Sequence, residues 1–173
     1  MPKKITGVRS LPADPQRQSQ WEVEIVGLST GSSERLAFHA QSTTIPESAS
    51  DTFEINFKKK RAWYSGRESA DNTLTITFFD TEDFHAYSFF NDWYKNLVSS
   101  TGTGSGVSKP EMVADVVIRT TDFSDENYTS TTTLKSSQIT NVGEVSLDYS
   151  EGSQVTFDIT FQFEDKIFAV GNA

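Results

Sequence analysis

The chain has 173 residues, which is enough for one domain with a proper core but too few for two comfortable ones. Its formal net charge is -9, from 24 acidic and 15 basic residues. This argues against nucleic-acid binding through a general basic surface, because such binding needs Lys and Arg to neutralise phosphates. Cysteine is absent, which excludes a disulfide framework, a thiol nucleophile and a thiolate-bound zinc.

The first 20 residues contain three of the five prolines and few large apolar side chains. We expect residues 1–20 to form an arm that becomes ordered only when something docks it. The arm lacks the apolar segment of a secretory signal, and no apolar run approaches the roughly 20 residues of a transmembrane helix. The sequence therefore predicts a protein that is made in the cytoplasm and has no membrane partner.

Alternating apolar and polar side chains then predict a series of β-strands. In residues 21–28, Trp21, Val23 and Ile25 alternate with Glu22 and Glu24, the period of a half-buried strand. Further strands are predicted at residues 35–45, 53–57, 72–80, 112–123, 128–140, 143–150 and 153–165.

One segment between these strands has helical spacing instead. Apolar side chains at intervals of four, three and four residues form one face, and acidic or hydroxyl side chains precede them. We predict a helix over about residues 81–98. The side chains expected to anchor it on the fold are Phe84, Phe90, Trp93 and Leu97. Those expected to cap its first turn are Asp80, Thr81 and Asp83.

These elements predict a mainly β fold, an antiparallel β-barrel or sandwich of about eight strands with the helix packed against it. Residues 21–167 would form this single domain. Residues 99–110, "SSTGTGSGVSKP", have the composition of a flexible loop inside it, and residues 168–173 would be a C-terminal tail.

Enzymatic signatures are weak. The only histidines, His39 and His85, lack the spacing of a metal or catalytic motif. The glycine-rich "GTGSG" at 102–106 is not followed by the Lys-Ser/Thr of a phosphate loop. We therefore predict no catalytic residue, no metal ligand and no cofactor.

The sharpest electrostatic feature is a basic run in an acidic chain, residues 58–61, with aromatic residues and another arginine after it. It could be the solvated end of a hairpin. Alternatively, it could contact an acidic surface, such as that of another copy of the same protein. The residues concerned are Lys58, Lys59, Lys60, Arg61, Trp63, Tyr64 and Arg67.

The order of these features resembles the tail tube protein family of contractile-tailed (myovirus-type) bacteriophages. The strand "AQSTTIPE" is similar to the family's "VxSTxLP", and "YSGRES" to its "Y.GR" loop. The segment "TITFFDTEDFHAYSFFNDWYKNL" (75–97) resembles "tITFxNDxDFxxRxxFExWxNxI", and the C-terminal "VGEVSLDYSEGSQVTFDITFQFED" resembles the family's ending. The likeness covers about residues 21–165, and residues 75–97 are its most specific part.

The resemblance implies a subunit that assembles into hexameric rings, stacked into a tube inside a contractile sheath in the virion. Residues 58–67 would then form a loop between subunits or rings. The implied partners are other copies of the chain, the sheath protein, and baseplate and tail-terminator proteins. Tape-measure protein and DNA would pass through the lumen without specific binding; the resemblance does not say which residues line it.

Three alternatives share parts of this pattern. A baseplate tube initiator, or the tube of a bacterial phage-tail-like injection device, would have the same domain. A stand-alone β-sandwich that binds carbohydrate is an alternative of a different class, and it requires exposed aromatic side chains on a strand face.

Overall fold

The computed structural model describes residues 16–28, 36, 39–102, 112–122, 127–147 and 153–171. These ranges contain nine strands and one long helix, which confirms the predicted mainly β fold with a single helix packed against it. Strands β1 to β9 are Trp21–Val26, Ala40–Thr43, Ser50–Phe57, Lys60–Glu68, Thr73–Phe79, Ala114–Thr121, Tyr128–Val142, Thr156–Gln162 and Asp165–Val170. Helix α1, His85–Gly102, lies between β5 and β6.

Two antiparallel sheets share the long strand β7. In the first sheet the order is β1-β6-β7-β9, and in the second it is β7-β8-β5-β2. The first part of β7 pairs with β6 and β9, whereas residues 138–142 pair with β8. Ser136 has a φ of 53° at the point where β7 passes from one sheet to the other. The shared strand joins the sheets into one unit.

The alternation seen in the sequence sets which face of each sheet is buried. In the second sheet, Ile76 lies opposite Ile159 and Phe78 opposite Phe157, and all four side chains are buried. Close approach of the chain beside this sheet requires Gly143: a Cβ there would lie 2.7 Å from the Asp158 carbonyl oxygen. The core therefore lies between the inner faces of the two sheets and α1.

Helix α1 packs on the second sheet through aromatic rings. The ring of Phe90 lies 4.7 Å from that of Phe78 and 6.2 Å from that of Phe161, and the Trp93 ring lies 5.9 Å from Phe161. The indole Nε1 of Trp93 donates to the Met112 carbonyl oxygen at 3.0 Å, so this buried donor is satisfied. Tilted and edge-on ring pairs of this kind add to the free energy gained from burial alone.

Strands β3 and β4 form a separate two-stranded sheet. This corrects the expectation that residues 58–67 are a loop, because only Lys58 and Lys59 form the turn and β4 begins at Lys60. Every residue of β4 is exposed, so no burial pattern marked it as a strand in the sequence.

Other boundaries also differ from the sequence predictions. The predicted C-terminal tail, residues 168–173, begins inside β9, which pairs with β7 through Val170. The predicted loop at 99–110 begins inside α1, which runs to Gly102; residues 103–110 lie outside the described ranges. The predicted strand at 143–150 is wrong for residues 143–147, which have no regular structure, and its last three residues lie outside the described ranges.

Within the described ranges, no helix is both long enough and apolar enough to span a bilayer.

Candidate assembly surfaces

The β3–β4 hairpin has one apolar face that is exposed to solvent. Residues directly opposite each other on paired strands share a face, as do residues two positions apart on one strand. Phe53 lies opposite Tyr64, Ile55 opposite Ala62, and Phe57 opposite Lys60. The rings of Phe53 and Tyr64 stack with their centroids 5.6 Å apart. Phe57 is 70% exposed, so the apolar face has no cover in the isolated subunit.

The opposite face of the hairpin mixes charge with one large aromatic side chain. Glu54 lies opposite Trp63, and Asn56 opposite Arg61. The Arg61 Nε atom lies 3.4 Å from Glu54 Oε1, and the Trp63 side chain is exposed. Aromatic side chains and arginine are enriched at protein contact surfaces, and this face carries one of each.

The tip of the hairpin concentrates positive charge. Lys58 occupies the first turn position with a φ of 56°, and its Nζ lies 5.4 Å from the centre of the Phe57 ring. Lys59 completes the turn, and Lys60 and Arg61 are the first two residues of β4. Arg67 lies near the base, where the register shifts. The tip is a cationic point on a chain of net charge -9.

The predicted helix anchors fall into three groups. Phe90 and Trp93 are buried, and Leu97 is partly buried against the core. Phe84 is not an anchor: its side chain is 40% exposed, and it precedes the helix with a left-handed φ of 46°. The reason is that the helix begins at His85 rather than near residue 81, so Phe84 does not share the buried face.

The first turn of α1 is held by a carboxylate five residues before the helix begins. Asp80 Oδ1 accepts from the Ala86 amide at 3.2 Å, and Oδ2 accepts from the Tyr87 amide at 2.9 Å. These are donors that an N-terminal turn leaves without helical partners. The Thr81 hydroxyl donates instead to the Asp83 carboxylate, within the turn that leads into the helix. The chain thus reaches the helix through a turn closed by its own side chains.

The outer face of the first sheet carries a charged cluster that the sequence analysis did not identify. Arg119 on β6 lies with its NH1 2.6 Å from Glu24 Oε2 and 3.4 Å from Glu22 Oε1 on β1. Its guanidinium also lies 5.1 Å from the centre of the Tyr128 ring. In the sequence, the alternating glutamates of β1 indicate an exposed strand face. Their partner Arg119 could not be predicted, because it depends on the order of strands in the sheet.

Two of these groups have shifted pKa values. Burial lowers the pKa of Arg119, but the hydrogen bond and charge of Glu24, with the charges of Tyr128 and Glu22, more than offset this and leave the pKa raised. A hydrogen bond to Glu22 is the main reason that the pKa of Tyr128 is raised. Both shifts follow from the acidic character of the cluster.

The first sheet has an outer strand at each side. In the described residues, β1 pairs only with β6, and β9 pairs only with β7. On β9, Phe168 is 55% exposed and Val170 is 82% exposed, although both lie in register with the core-facing row of β7. Unpaired strand edges are sites where another strand can add.

The predicted N-terminal arm is described only from residue 16. Gln16 Nε2 donates to the Thr121 carbonyl oxygen at 2.9 Å, and Gln20 Nε2 donates to that of Asp122 at 2.8 Å. These amides attach residues 16–20 to the end of β6, beside a groove lined by Trp21, Ile118 and polar residues of β2. Residues 1–15 lie outside the described ranges.

No group of three or more potential ligands for a metal ion occurs in the part of the chain that the structure describes. The two histidines lie near each other, with ring centres 6.4 Å apart, and His39 Nδ1 lies 3.0 Å from the Phe79 carbonyl oxygen. Among the described residues, the surfaces with exposed apolar or charged side chains or unpaired strand edges are the hairpin, the outer face of the first sheet and the two outer strands of that sheet. All of them are suited to contact with macromolecules.

Comparison with known proteins gives consistent results. The family model described as Phage tail tube protein matches residues 15–168. The tail tube protein gp19 of Enterobacteria phage T4 is 22% identical over 152 residues, which cover 87% of this chain and 90% of that protein. The corresponding protein of Enterobacteria phage T6 is 23% identical with the same coverage.

Several solved structures have a similar fold. The sheath/tube terminator of an extracellular contractile injection system superposes with a TM-score of 0.68 at 12% identity, covering 92% of this chain and 100% of that one. A chain of the anti-feeding prophage baseplate, solved with six-fold symmetrisation, gives 0.68 at 11% identity, covering 91% and 97%. A sheath-tube complex in the extended state gives 0.61 at 15% identity, covering 90% and 92%.

Proposed function

The chain belongs to the phage tail tube protein family, and we propose that it is the subunit of stacked hexameric rings that form the inner tube of a contractile tail. The observation that carries the proposal is the β3–β4 hairpin, whose apolar face is exposed in the isolated subunit. A lone two-stranded hairpin is marginally stable in water, and a solvent-exposed apolar face is a recognised mark of an interaction surface.

The edges of the first sheet support closure into a ring. If β9 of one copy adds to β1 of the next, the sheets continue from subunit to subunit. Six four-stranded sheets give a cylinder of roughly 24 strands, and a spacing of about 4.8 Å gives a diameter of about 37 Å before strand tilt widens it. The contact is heterologous, and a ring is the form in which such contacts close.

The outer face of the first sheet would then line the bore. A cylinder of this size cannot enclose six copies of the second sheet and helix α1, so these lie outside it. The face left to the bore is mainly polar, with Glu22, Glu24 and Arg119 on two neighbouring strands. A polar face suits a water-filled bore, whereas the opposite face of the same sheet is apolar and is buried in the core.

The hairpin is assigned to contacts between subunits or rings. Its apolar face would be covered by a neighbouring copy, and its tip of Lys58, Lys59, Lys60 and Arg61 would meet acidic side chains there. Trp63, Tyr64 and Arg67 on β4 complete this surface. The charge complementarity would set register and orientation more than affinity.

The remaining partners follow from the family. The outside of the tube would contact the sheath protein, and its ends would contact baseplate and tail-terminator proteins. Tape-measure protein and DNA would pass through the bore without specific binding. The tube would be assembled in the host cytoplasm and would act in the virion, as a structural part and not as an enzyme.

Negative-stain electron microscopy of the concentrated protein tests this proposal. We expect rings of about six subunits, and tubes whose length increases with protein concentration. Single rings that never stack would instead favour the baseplate initiator. A protein that stays monomeric under every assembly condition and binds a defined glycan in a screen would overturn the proposal in favour of a carbohydrate-binding module.

A further inference from the structure

Both cations on the outer face of the first sheet are paired with acids from a neighbouring strand. Arg119 is held by Glu22 and Glu24, and the Nζ of Lys135 lies 2.5 Å from Asp115 Oδ2. By strand register, the charged side chains on this face, among the described residues of its four strands, are Glu22, Glu24, Asp115, Asp165, Arg119 and Lys135. Each base on this face therefore has a carboxylate partner.

Strand register fixes the arrangement around Arg119. Glu22 lies directly opposite Arg119, and Glu24 lies diagonally on the same face. The side chain of Arg119 is 24% exposed, whereas those of Glu22 and Glu24 are 38% and 37% exposed. The two carboxylates occupy NH1, and the Tyr128 ring contacts the guanidinium plane. The guanidinium is thus neutralised at NH1, and the two carboxylates beside it would repel an approaching phosphate.

Stability alone is a weak reason for this arrangement. Partly exposed ion pairs are worth little, typically about 0–1 kcal/mol. A free guanidinium, in contrast, binds phosphate through parallel hydrogen bonds, and net negative charge does not prevent this at contact distance because salt screens charges beyond about 8–10 Å. A ring of subunits would repeat such an arginine at one level of the bore.

We propose that Glu22 and Glu24 are specificity residues that hold Arg119 away from nucleic-acid phosphates, so that the bore carries DNA without retaining it. Asp115 does the same for Lys135. The inference rests on the proposed function, which places this face in the bore. It differs from general acidity, because it makes the local pairing, not the net charge, responsible for the absence of binding.

Glu22→Gln with Glu24→Gln tests the proposal, because both changes keep side-chain shape. The matched control is Glu82→Gln with Asp92→Asn, the same charge change at exposed positions near and on α1. For assembled particles, anisotropy of a labelled DNA duplex at low salt gives the affinity. We expect at least tenfold tighter, salt-sensitive binding by the Glu22/Glu24 variant and no gain in the control. Adding Arg119→Gln should remove the gain.

A second measurement applies to the unassembled chain. In a titration with inorganic phosphate followed by NMR, the Arg119 Nε–H signal should shift in the Glu22/Glu24 variant and stay fixed in the unmodified chain. Asp115→Asn should expose Lys135 to phosphate in the same way, in a chain that keeps the Arg119 cluster. The Asp115→Asn measurement remains informative if the Glu22/Glu24 variant folds poorly.

The outcomes separate this inference from the proposed function. Tubes that form in all variants, with no gain in DNA or phosphate binding by the Glu22/Glu24 variant over the control, overturn the inference and leave the tube proposal intact. A gain that survives Arg119→Gln also overturns it. Failure of the unmodified chain to form rings contradicts the tube proposal, while the phosphate titration still decides whether the acids block Arg119.

Discussion

In the two-sheet body, Phe78, Phe90 and Phe161 are fully buried, whereas in the β3–β4 hairpin Phe53, Phe57 and Trp63 are 51%, 70% and 65% exposed. The same side-chain types therefore have opposite surroundings in one chain. In the body, they supply the free energy of folding. In the hairpin, they contribute little to folding of the isolated subunit, so we assign them to association. The difference predicts that substitutions in the two regions change different measurements.

The largest effect on stability is expected in the body. Phe90→Ala removes a ring that contacts Phe78, Phe157 and Phe161, and it leaves a cavity between α1 and the second sheet. We expect a loss of about 3–5 kcal/mol in the free energy of unfolding. Urea denaturation followed by far-UV circular dichroism measures it. A loss below about 1 kcal/mol would show that α1 does not depend on this contact.

A smaller loss is expected at the start of α1. Asp80→Ala removes the acceptor for the Ala86 and Tyr87 amides, and loss of a helix cap costs about 0.5–2 kcal/mol. Thr81→Ala is the control, because its hydroxyl bonds to Asp83 within the preceding turn. In the same denaturation experiment, Asp80→Ala should lose more stability than Thr81→Ala. Equal losses would contradict the role given to Asp80.

In the hairpin, the effect on folding should be smallest. Phe53→Ser with Phe57→Ser should change the free energy of unfolding by about 0.5 kcal/mol or less at each site, because exposed positions tolerate substitution. The same variant should raise the concentration needed for ring or tube formation at least tenfold, which sedimentation velocity measures. Tubes that form at the unmodified concentration would remove the hairpin from the assembly surface.

A pH titration adds a test of the charged cluster on the first sheet. Because the pKa of Tyr128 is raised, its hydrogen bond to Glu22 stabilises the fold fully below pH about 10, the ordinary tyrosine value, and is lost as pH rises through the folded pKa. Comparison of ultraviolet tyrosinate titrations with and without Tyr128→Phe isolates this group. Glu22→Gln should move its midpoint downward, and an unchanged midpoint would contradict the contact.

The same contrast explains what the sequence could predict. Strands β1, β5 and β8 each bury one face in the core, so apolar and polar residues alternate along their sequences and predict the strands. The helix stripe of Ala86, Phe90 and Trp93 was predictable in the same way, because it is the buried face of α1. Strand β4 is exposed on both faces and carries a basic run, so its pairing through backbone hydrogen bonds leaves no periodic signal. β9 was missed for a similar reason, since it lies at an edge.

The functional surfaces were predicted unevenly. The residues of the basic run were identified from charge alone, but their strand geometry and the apolar face that Tyr64 shares with Phe53 required the register of the hairpin. The cluster around Arg119 joins residues about 100 positions apart, and only the order of strands in the sheet brings them together. Phe84 was misassigned because Asp80 caps the helix across a four-residue turn, which places Phe84 outside the helix.

Hydrogen exchange followed by mass spectrometry, before and after assembly, tests the central claim most directly. The account predicts that amides of β3 and β4 exchange rapidly in the isolated subunit, because the hairpin has no cover, and become protected at least 100-fold in assembled particles. Amides of β5 and β8 should be protected in both states. Hairpin amides that exchange equally fast in subunits and in tubes would contradict the claim that this hairpin joins one copy to another.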